Sequence, residues 1–194
     1  MLRSEALFRE TEEKFREVLA AQQPALADLG EVDLVIGIPF YNEADTLDRV
    51  IQEAAEGVRT YYPEGSVALV CVGSPAGVAA LESVRERSPD GRLQKLAFLL
   101  PDEALNGRGW AIRAIMELSH RLGADLALLE ADLIEANGEK GLHGQWLPTL
   151  LQPIREGGFD LVLGQFNRHY CEATVTRHLV YPLLASLYNY KIRD

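Results

Sequence analysis

From Val32 onward, short apolar runs alternate with segments of helical periodicity, and this alternation limits the fold more than any other feature of the chain. Strands that are buried on both faces of a parallel sheet are continuous apolar runs, and the helices that connect them cover the two faces. The predicted strands are residues 34–38, 67–72, 95–99, 126–129 and 161–164. We therefore predict an α/β fold with a mostly parallel sheet that is flanked by helices.

Helical patterns at the two ends of the chain suggest its organisation. Residues 4–21 have the pattern of a charged amphipathic helix, so we assign residues 1–30 to an N-terminal helical extension and residues 31–194 to the core. Residues 175–190 predict a final helix with an apolar face, which consists of Leu179, Val180, Leu183, Leu184 and Leu187. Such a face needs a packing partner. We therefore expect the core to be truncated at its C-terminal end, or a second copy to cover the face in a homodimer.

Charge and composition exclude several classes of protein. The formal net charge of −10 over 194 residues argues against a nucleic-acid partner, because nucleic acids are bound by basic surfaces. No apolar stretch approaches the roughly 20 residues that span a bilayer, and the N-terminus has no apolar signal region. We therefore expect a cytoplasmic protein without a membrane span. Cys71 and Cys171 lie far apart in sequence and indicate neither a disulfide framework nor a zinc site.

Two clusters that directly follow predicted strands suit a nucleoside. In an open α/β sheet, ligands bind beyond the carboxyl ends of the strands, and glycine there allows the backbone to approach a ligand closely. The candidate residues are Pro39, Phe40, Tyr41, Glu43, Gly73 and Ser74. The alternative is structural: Pro39 ends a strand, the aromatic rings fill core, Asn42 or Asp45 caps a helix, and Gly73 belongs to an ordinary turn.

Two further clusters suit a diphosphate and a metal ion. Arg108 follows Asn106-Gly107 at a predicted helix start, where free N–H groups and the helix dipole favour an anion. Glu130 and Asp132 are spaced i, i+2 at the end of a predicted strand, so both carboxylates project from the same side and could hold a divalent ion. A glycine loop and a solvated acidic turn explain the same residues without a ligand.

In this order, the four clusters resemble the GT-A glycosyltransferases, in particular the mannosylglycerate synthases and, less closely, the glucosyl-3-phosphoglycerate synthases. The resemblance extends from Asp33 to the end of the chain. It implies a donor such as GDP-mannose or UDP-glucose and a Mg²⁺ or Mn²⁺ ion on Asp132 with Glu130. Arg108 stands where the family has a phosphate-contacting lysine, and Glu130 stands where it has an aspartate.

The same resemblance implies a small carboxylate acceptor such as glycerate or phosphoglycerate, and transfer with retention. The candidate acceptor residues are Arg168, Thr174 and Thr176. No residue is assigned a catalytic role. A histidine metal ligand and the acceptor loops are expected beyond Asp194, so this chain alone is expected not to transfer sugar. Cys71, Val72 and Ala76 replace acids that read the base in many relatives, and the base is therefore left open.

Two other functions remain open. A sugar-phosphate nucleotidyltransferase has a related sheet, although it normally carries a glycine-rich loop with arginine and lysine after the first strand, and residues 39–43 do not fit that pattern. A non-catalytic module that binds a nucleotide sugar would also explain the irregular motif of Glu130 and Asp132.

Overall fold

The computed structural model describes residues 2–86, 93–133, 141–164 and 176–188. The main elements are, in chain order, α1 (Leu2–Ala21), α2 (Gln23–Asp28), β1 (Leu34–Phe40), α3 (Ala44–Tyr61), β2 (Val67–Gly73), α4 (Val78–Glu86), β3 (Leu93–Leu99), α5 (Arg108–Leu122), β4 (Asp125–Leu128), α6 (Trp146–Gly157) and α7 (Tyr181–Tyr188). A short 3-10 helix, Glu103–Leu105, precedes α5, and a π-helical segment, Thr176–Val180, leads into α7.

The four strands form one parallel sheet in the order β3-β2-β1-β4. Leu34 in β1 is paired with Val67 in β2 on one side and with Asp125 in β4 on the other. Every residue of β1 and β2 is buried, as expected for apolar strands that are covered on both faces. The sheet confirms the predicted α/β class with parallel strands and flanking helices.

The two faces of the sheet support two hydrophobic clusters. Leu34, Ile36 and Ile38 pack with α3, α4 and α6 on one face, whereas Val35 packs with α1, α2 and α5 on the other. Gly37 allows α5 to lie close to the sheet, because a Cβ atom at Gly37 would stand 2.3 Å from Cγ2 of Ile115. The alternation of side chains along β1 thus divides the core between two helical layers.

The second half of α1 packs on the core. Phe15 and Leu19 are buried in the same cluster as α5. The carboxylate of Glu12 accepts two hydrogen bonds from the guanidinium of Arg113, at 2.7 and 2.6 Å, and the Phe15 ring centroid lies 5.2 Å from that of Trp110. The helix predicted at residues 4–21 therefore forms and covers α5, while the domain boundary at residue 30 stays a prediction.

Two sequence-based assignments need correction, the strand at residues 161–164 and the N-cap of α3. Residues 161–164 form no strand; they lie in an irregular segment with Leu161 70% and Leu163 79% exposed. An apolar run of four residues does not determine a strand by itself, because a strand needs a neighbour to pair with. Glu43, and neither Asn42 nor Asp45, occupies the N-cap position of α3.

The C-terminal helical region has the predicted apolar face. Leu179, Val180, Leu183 and Leu187 are all exposed on Thr176–Val180 and α7. Among the helices that the structure describes, none combines the length and the apolar character needed to cross a bilayer.

Candidate functional site

A cavity of about 180 Å³ lies at the carboxyl end of the sheet. It is lined by residues from four separate parts of the chain: Pro39, Phe40, Tyr41, Glu43, Ser74, Arg108, Glu130, Ala131 and Asp132. Apart from Gly73, this lining contains all of the residues proposed from the sequence for the nucleotide sugar and the metal ion. The parallel strands bring them together because their carboxyl ends meet at one edge.

The turn after β1 is organised by its own acidic residue. Oε2 of Glu43 accepts hydrogen bonds from the backbone N–H groups of Tyr41 at 2.6 Å and of Asn42 at 3.0 Å. The carboxylate therefore stabilises the turn that opens α3, a role that sequence reasoning missed. The Tyr41 side chain is 45% exposed beside the cavity, so its ring can flank a ligand.

Phe40 belongs to the core as well as to the cavity wall. Its side chain is only 4% exposed. A Cβ atom at Gly73 would lie 2.4 and 2.5 Å from two atoms of the Phe40 ring, and one at Gly77 would lie 2.7 Å from the ring. The two glycines thus leave space for the ring. The alternative in which the aromatic ring fills the core therefore holds for Phe40. Gly73 contributes to the cavity indirectly, because its missing side chain leaves room for the Phe40 ring in the cavity wall.

Ser74 follows β2 and has a buried hydroxyl in the cavity lining. The residue is 3% exposed, and its Oγ atom has no hydrogen-bond partner within the described residues. Its backbone N–H donates to the carbonyl of Phe40 at 3.3 Å, which fixes the residue beside β1. A buried hydroxyl without a partner is destabilising by about 1–3 kcal/mol. A polar ligand atom that reached Ser74 would satisfy this group.

Arg108 begins α5 and meets the acidic turn across the cavity. Its guanidinium forms an ion pair with the carboxylate of Glu130. Gly107 at the N-cap of α5 has a φ of 127°, a conformation that glycine adopts readily and other residues rarely do. The helix start and its arginine are therefore placed where an anion in the cavity would find positive charge.

The turn after β4 is anchored to α3 by a residue that the sequence analysis overlooked. Oγ1 of Thr46 donates a 2.8 Å hydrogen bond to the carbonyl of Ala131, the buried residue between Glu130 and Asp132. The carbonyl of Leu133 in turn accepts from the N–H of Leu142 at 3.0 Å, closing the far side of this turn. The two acidic residues thus stand on a backbone that is held on both sides.

The donor set fits a hard divalent cation. Two carboxylates, those of Glu130 and Asp132, line the cavity on one turn. Across the described ranges, no group of three or more histidine, cysteine or acidic side chains is placed to hold a metal. Magnesium is usually held by one or two carboxylates together with phosphate oxygens and water, and this pair is sufficient for that arrangement.

The described cavity lining is acidic on balance. It contains three carboxylates, on Glu43, Glu130 and Asp132, and one guanidinium, on Arg108. An anionic ligand would therefore meet net repulsion unless a cation accompanied it. Of the predicted acceptor residues, Arg168 and Thr174 lie outside the described residues, as does the side chain of Thr176.

Comparison with known proteins identifies the fold. No protein-family model and no curated protein matches the chain. A crystal structure of glucosyl-3-phosphoglycerate synthase from Mycobacterium tuberculosis in complex with phosphoglyceric acid matches with a TM-score of 0.52 at 20% identity, over 90% of this chain and 55% of that one. A second structure, of the same enzyme with Mn²⁺, UDP-glucose and phosphoglyceric acid, has a TM-score of 0.49 at 22% identity, over 90% and 54% of the two chains.

The first likeness shows the GT-A fold, as the sequence resemblance implied. The chain spans about half the length of the solved proteins that it matches. The first structure is of a glucosyl-3-phosphoglycerate synthase, which the sequence resemblance placed second, and it does not support placing the mannosylglycerate synthases first.

Proposed function

We propose that this chain is the nucleotide-sugar-binding part of a GT-A-type glycosyltransferase that uses Mg²⁺ or Mn²⁺. The observation that carries the proposal is the cavity itself. It brings two carboxylates, an arginine at a helix start and an unsatisfied buried hydroxyl to the carboxyl edge of a parallel sheet. In chemical kind, these groups suit the parts of a metal-bound nucleoside diphosphate, which supports the proposal.

Each group has a distinct part in the proposed complex. Asp132 and Glu130 would hold the metal, which supplies positive charge to the leaving diphosphate. Arg108, the first turn of α5 and the buried hydroxyl of Ser74 would contact the phosphates, while the exposed ring of Tyr41 would contact the nucleoside. A cavity of about 180 Å³ is smaller than the 300–1,000 Å³ typical of small-molecule sites. The cavity would therefore hold the diphosphate and its metal, with the rest of the donor along the open edge.

The proposed stereochemical outcome is retention. An inverting transfer needs a general base that is free to take the proton of the acceptor. Of the three lining carboxylates, that of Glu43 is bound by the N–H groups of Tyr41 and Asn42. The other two are assigned to the metal, so the described part of the lining offers no carboxylate for that role.

The acceptor is proposed to be a small carboxylate of the glycerate or phosphoglycerate class. The proposal comes from the sequence resemblance, with Arg168 as the cation for the carboxylate and Thr174 and Thr176 beside it. The solved neighbour is itself a complex with phosphoglyceric acid. Transfer to such an acceptor, with GDP-mannose or UDP-glucose as donor and a compatible solute as product, is a proposal for the whole protein.

A nucleotide-sugar-binding module without transferase activity is the second candidate. It is favoured by the pairing of Glu130 with Arg108, which engages a proposed metal ligand. Nucleotide binding that needs no metal would favour this second candidate, because a transferase needs the cation on its leaving diphosphate. Metal-dependent binding is expected of both candidates, because the cavity lining is acidic on balance.

The test is thermal unfolding with GDP and with UDP, in Mn²⁺ and in EDTA. We expect the nucleotide to raise the midpoint only with the metal present, and the shift to grow with ligand concentration. Asp132→Asn should abolish the metal-dependent shift and Glu130→Gln should reduce it less. Asp28→Asn makes the same change at an exposed position in α2 and should leave the shift intact. Equal shifts in EDTA would remove the metal from the proposal.

A further inference from the structure

The ion pair between Arg108 and Glu130 joins the proposed phosphate cation to a proposed metal ligand. This inference rests on the proposed function. We propose that the ion pair competes with the metal ion for Glu130 and with the nucleotide phosphates for Arg108, so that the metal ion and the nucleotide each promote binding of the other. This competition depends on the two side chains that meet across the cavity. It gives Arg108 a second role, because in the absence of nucleotide Arg108 lowers the affinity of the site for metal.

The charges in the cavity support the competition. Arg108 is the one basic residue among the described residues that line the cavity. Of the three lining carboxylates, that of Glu43 is held by the turn, which leaves Glu130 and Asp132 for a cation. With Glu130 paired to Arg108, a metal ion that arrives alone finds one unpaired carboxylate and a nearby positive charge. Metal affinity is therefore lowered by the arginine.

The nucleotide meets the complementary obstacle. A diphosphate that arrives alone finds Arg108 engaged by Glu130 and meets the carboxylate of Asp132 directly. When a metal ion takes Glu130, the guanidinium is released toward the phosphates. When phosphates take Arg108, Glu130 is released toward the metal. Coupling of this kind is reciprocal by thermodynamic necessity.

Side-chain length makes the pairing feasible. Glutamate carries its carboxylate one methylene farther from the backbone than aspartate, and arginine offers a planar set of N–H donors. The contact is made from two elements, the start of α5 and the turn after β4, and Thr46 holds the latter turn in place. The pair therefore depends on a long acid and a long base at these positions.

The expected size of the effect follows from exposure. The side chains of Arg108 and Glu130 are 62% and 40% exposed. Exposed ion pairs change an equilibrium constant by up to about fivefold. Removing the pair should therefore change the affinity for metal alone by about two- to fivefold, which is within the range of a direct titration.

The experiment titrates Mn²⁺ into nucleotide-free protein, with water-proton relaxation as the readout. Arg108→Gln should bind Mn²⁺ alone about two- to fivefold more tightly than the wild type, and should bind UDP and GDP with Mn²⁺ more weakly. Arg59→Gln is the matched control, since Arg59 forms an exposed ion pair with Glu56 outside the cavity. It changes the net charge equally and should leave the Mn²⁺ affinity within about twofold of the wild type, because it removes no charge from the cavity and exposed charges at a distance are screened.

A double-mutant cycle tests whether the effect acts through Glu130. In a Glu130→Gln background, Arg108→Gln should give less than half of its gain in Mn²⁺ affinity. An unchanged or weaker Mn²⁺ affinity in Arg108→Gln, or a full gain without Glu130, would overturn the inference. Failure of the wild type to bind either nucleotide with Mn²⁺ would instead overturn the proposed function, so the two failures are distinguishable.

Discussion

Gly73→Ala should destabilise the protein through Phe40 alone. Gly73 ends β2 without a positive φ, so alanine is compatible with its backbone. The added Cβ would stand 2.4 and 2.5 Å from the Phe40 ring and 2.6 Å from Cδ2 of Leu99. The leucine end can rotate away. The ring is 4% exposed and is also confined by Gly77, so it must move as a body.

The magnitude follows from that confinement. Overpacking in a well-packed core destabilises by about 1–3 kcal/mol. For a domain of this size, each kcal/mol lowers the thermal midpoint by roughly 2–4 °C. We therefore expect Gly73→Ala to lower the midpoint by about 2–12 °C. Displacement of Phe40 should also alter the cavity wall and weaken nucleotide binding.

Equilibrium unfolding in urea is the assay, and Phe40→Leu supplies the second arm of a cycle. The smaller side chain makes room for the new methyl group, so the double variant should be more stable than the sum of the single effects implies. We expect a coupling free energy of about 1–3 kcal/mol. Additive effects within about 0.5 kcal/mol would show that Phe40 does not limit this position, and the account of the cavity wall would be refuted.

Three further predictions follow from contacts described above. Thr46→Val removes the hydrogen bond to Ala131 and should lower the free energy of unfolding by about 1 kcal/mol. It should also weaken Mn²⁺-dependent nucleotide binding, measured by calorimetry, and unchanged binding would contradict the anchoring role of Thr46. Hydrogen bonding to Arg113 lowers the pKa of Glu12, so Glu12→Gln should lower the thermal midpoint at neutral pH. The difference in midpoint between the variant and the wild type should vanish as the pH falls below the depressed pKa, and a difference that stays constant with pH would be evidence against that ion pair. Leu183→Ser should shift sedimentation toward monomer if the exposed face of α7 is covered by a second copy, and an unchanged profile would remove this face from any dimer.

The sheet and the cavity residues were predictable because both depend on local patterns. A buried strand in a parallel sheet is an apolar run, and the residue after it lies at the ligand edge whatever the details of packing. Pro39, Ser74, Arg108 and Asp132 were found in this way, each from its own segment, and the structure gathers them around one cavity.

The remaining features depend on long-range contacts that no local pattern encodes. The hydrogen bond from Thr46 to Ala131 joins residues 85 positions apart, and the pairing of Arg108 with Glu130 depends on how α5 lies against β1. Residues 161–164 show the opposite failure, because a local apolar pattern predicted a strand that has no partner in the described sheet. Pairing is a tertiary property, and four residues are too few to encode it.

The position of α1 has a consequence for synthesis of the chain. Glu12 binds Arg113, 101 residues later, and Lys14 binds Asp102 at 3.0 Å. During translation, Phe15 and Leu19 therefore leave the ribosome long before α5, the helix that buries them, exists. Contacts of such high sequence separation form late, since loop closure must precede them. The part of this apolar stripe that α5 covers therefore stays exposed on the nascent chain until α5 has emerged, and transiently exposed apolar surface of this kind is prone to aggregate.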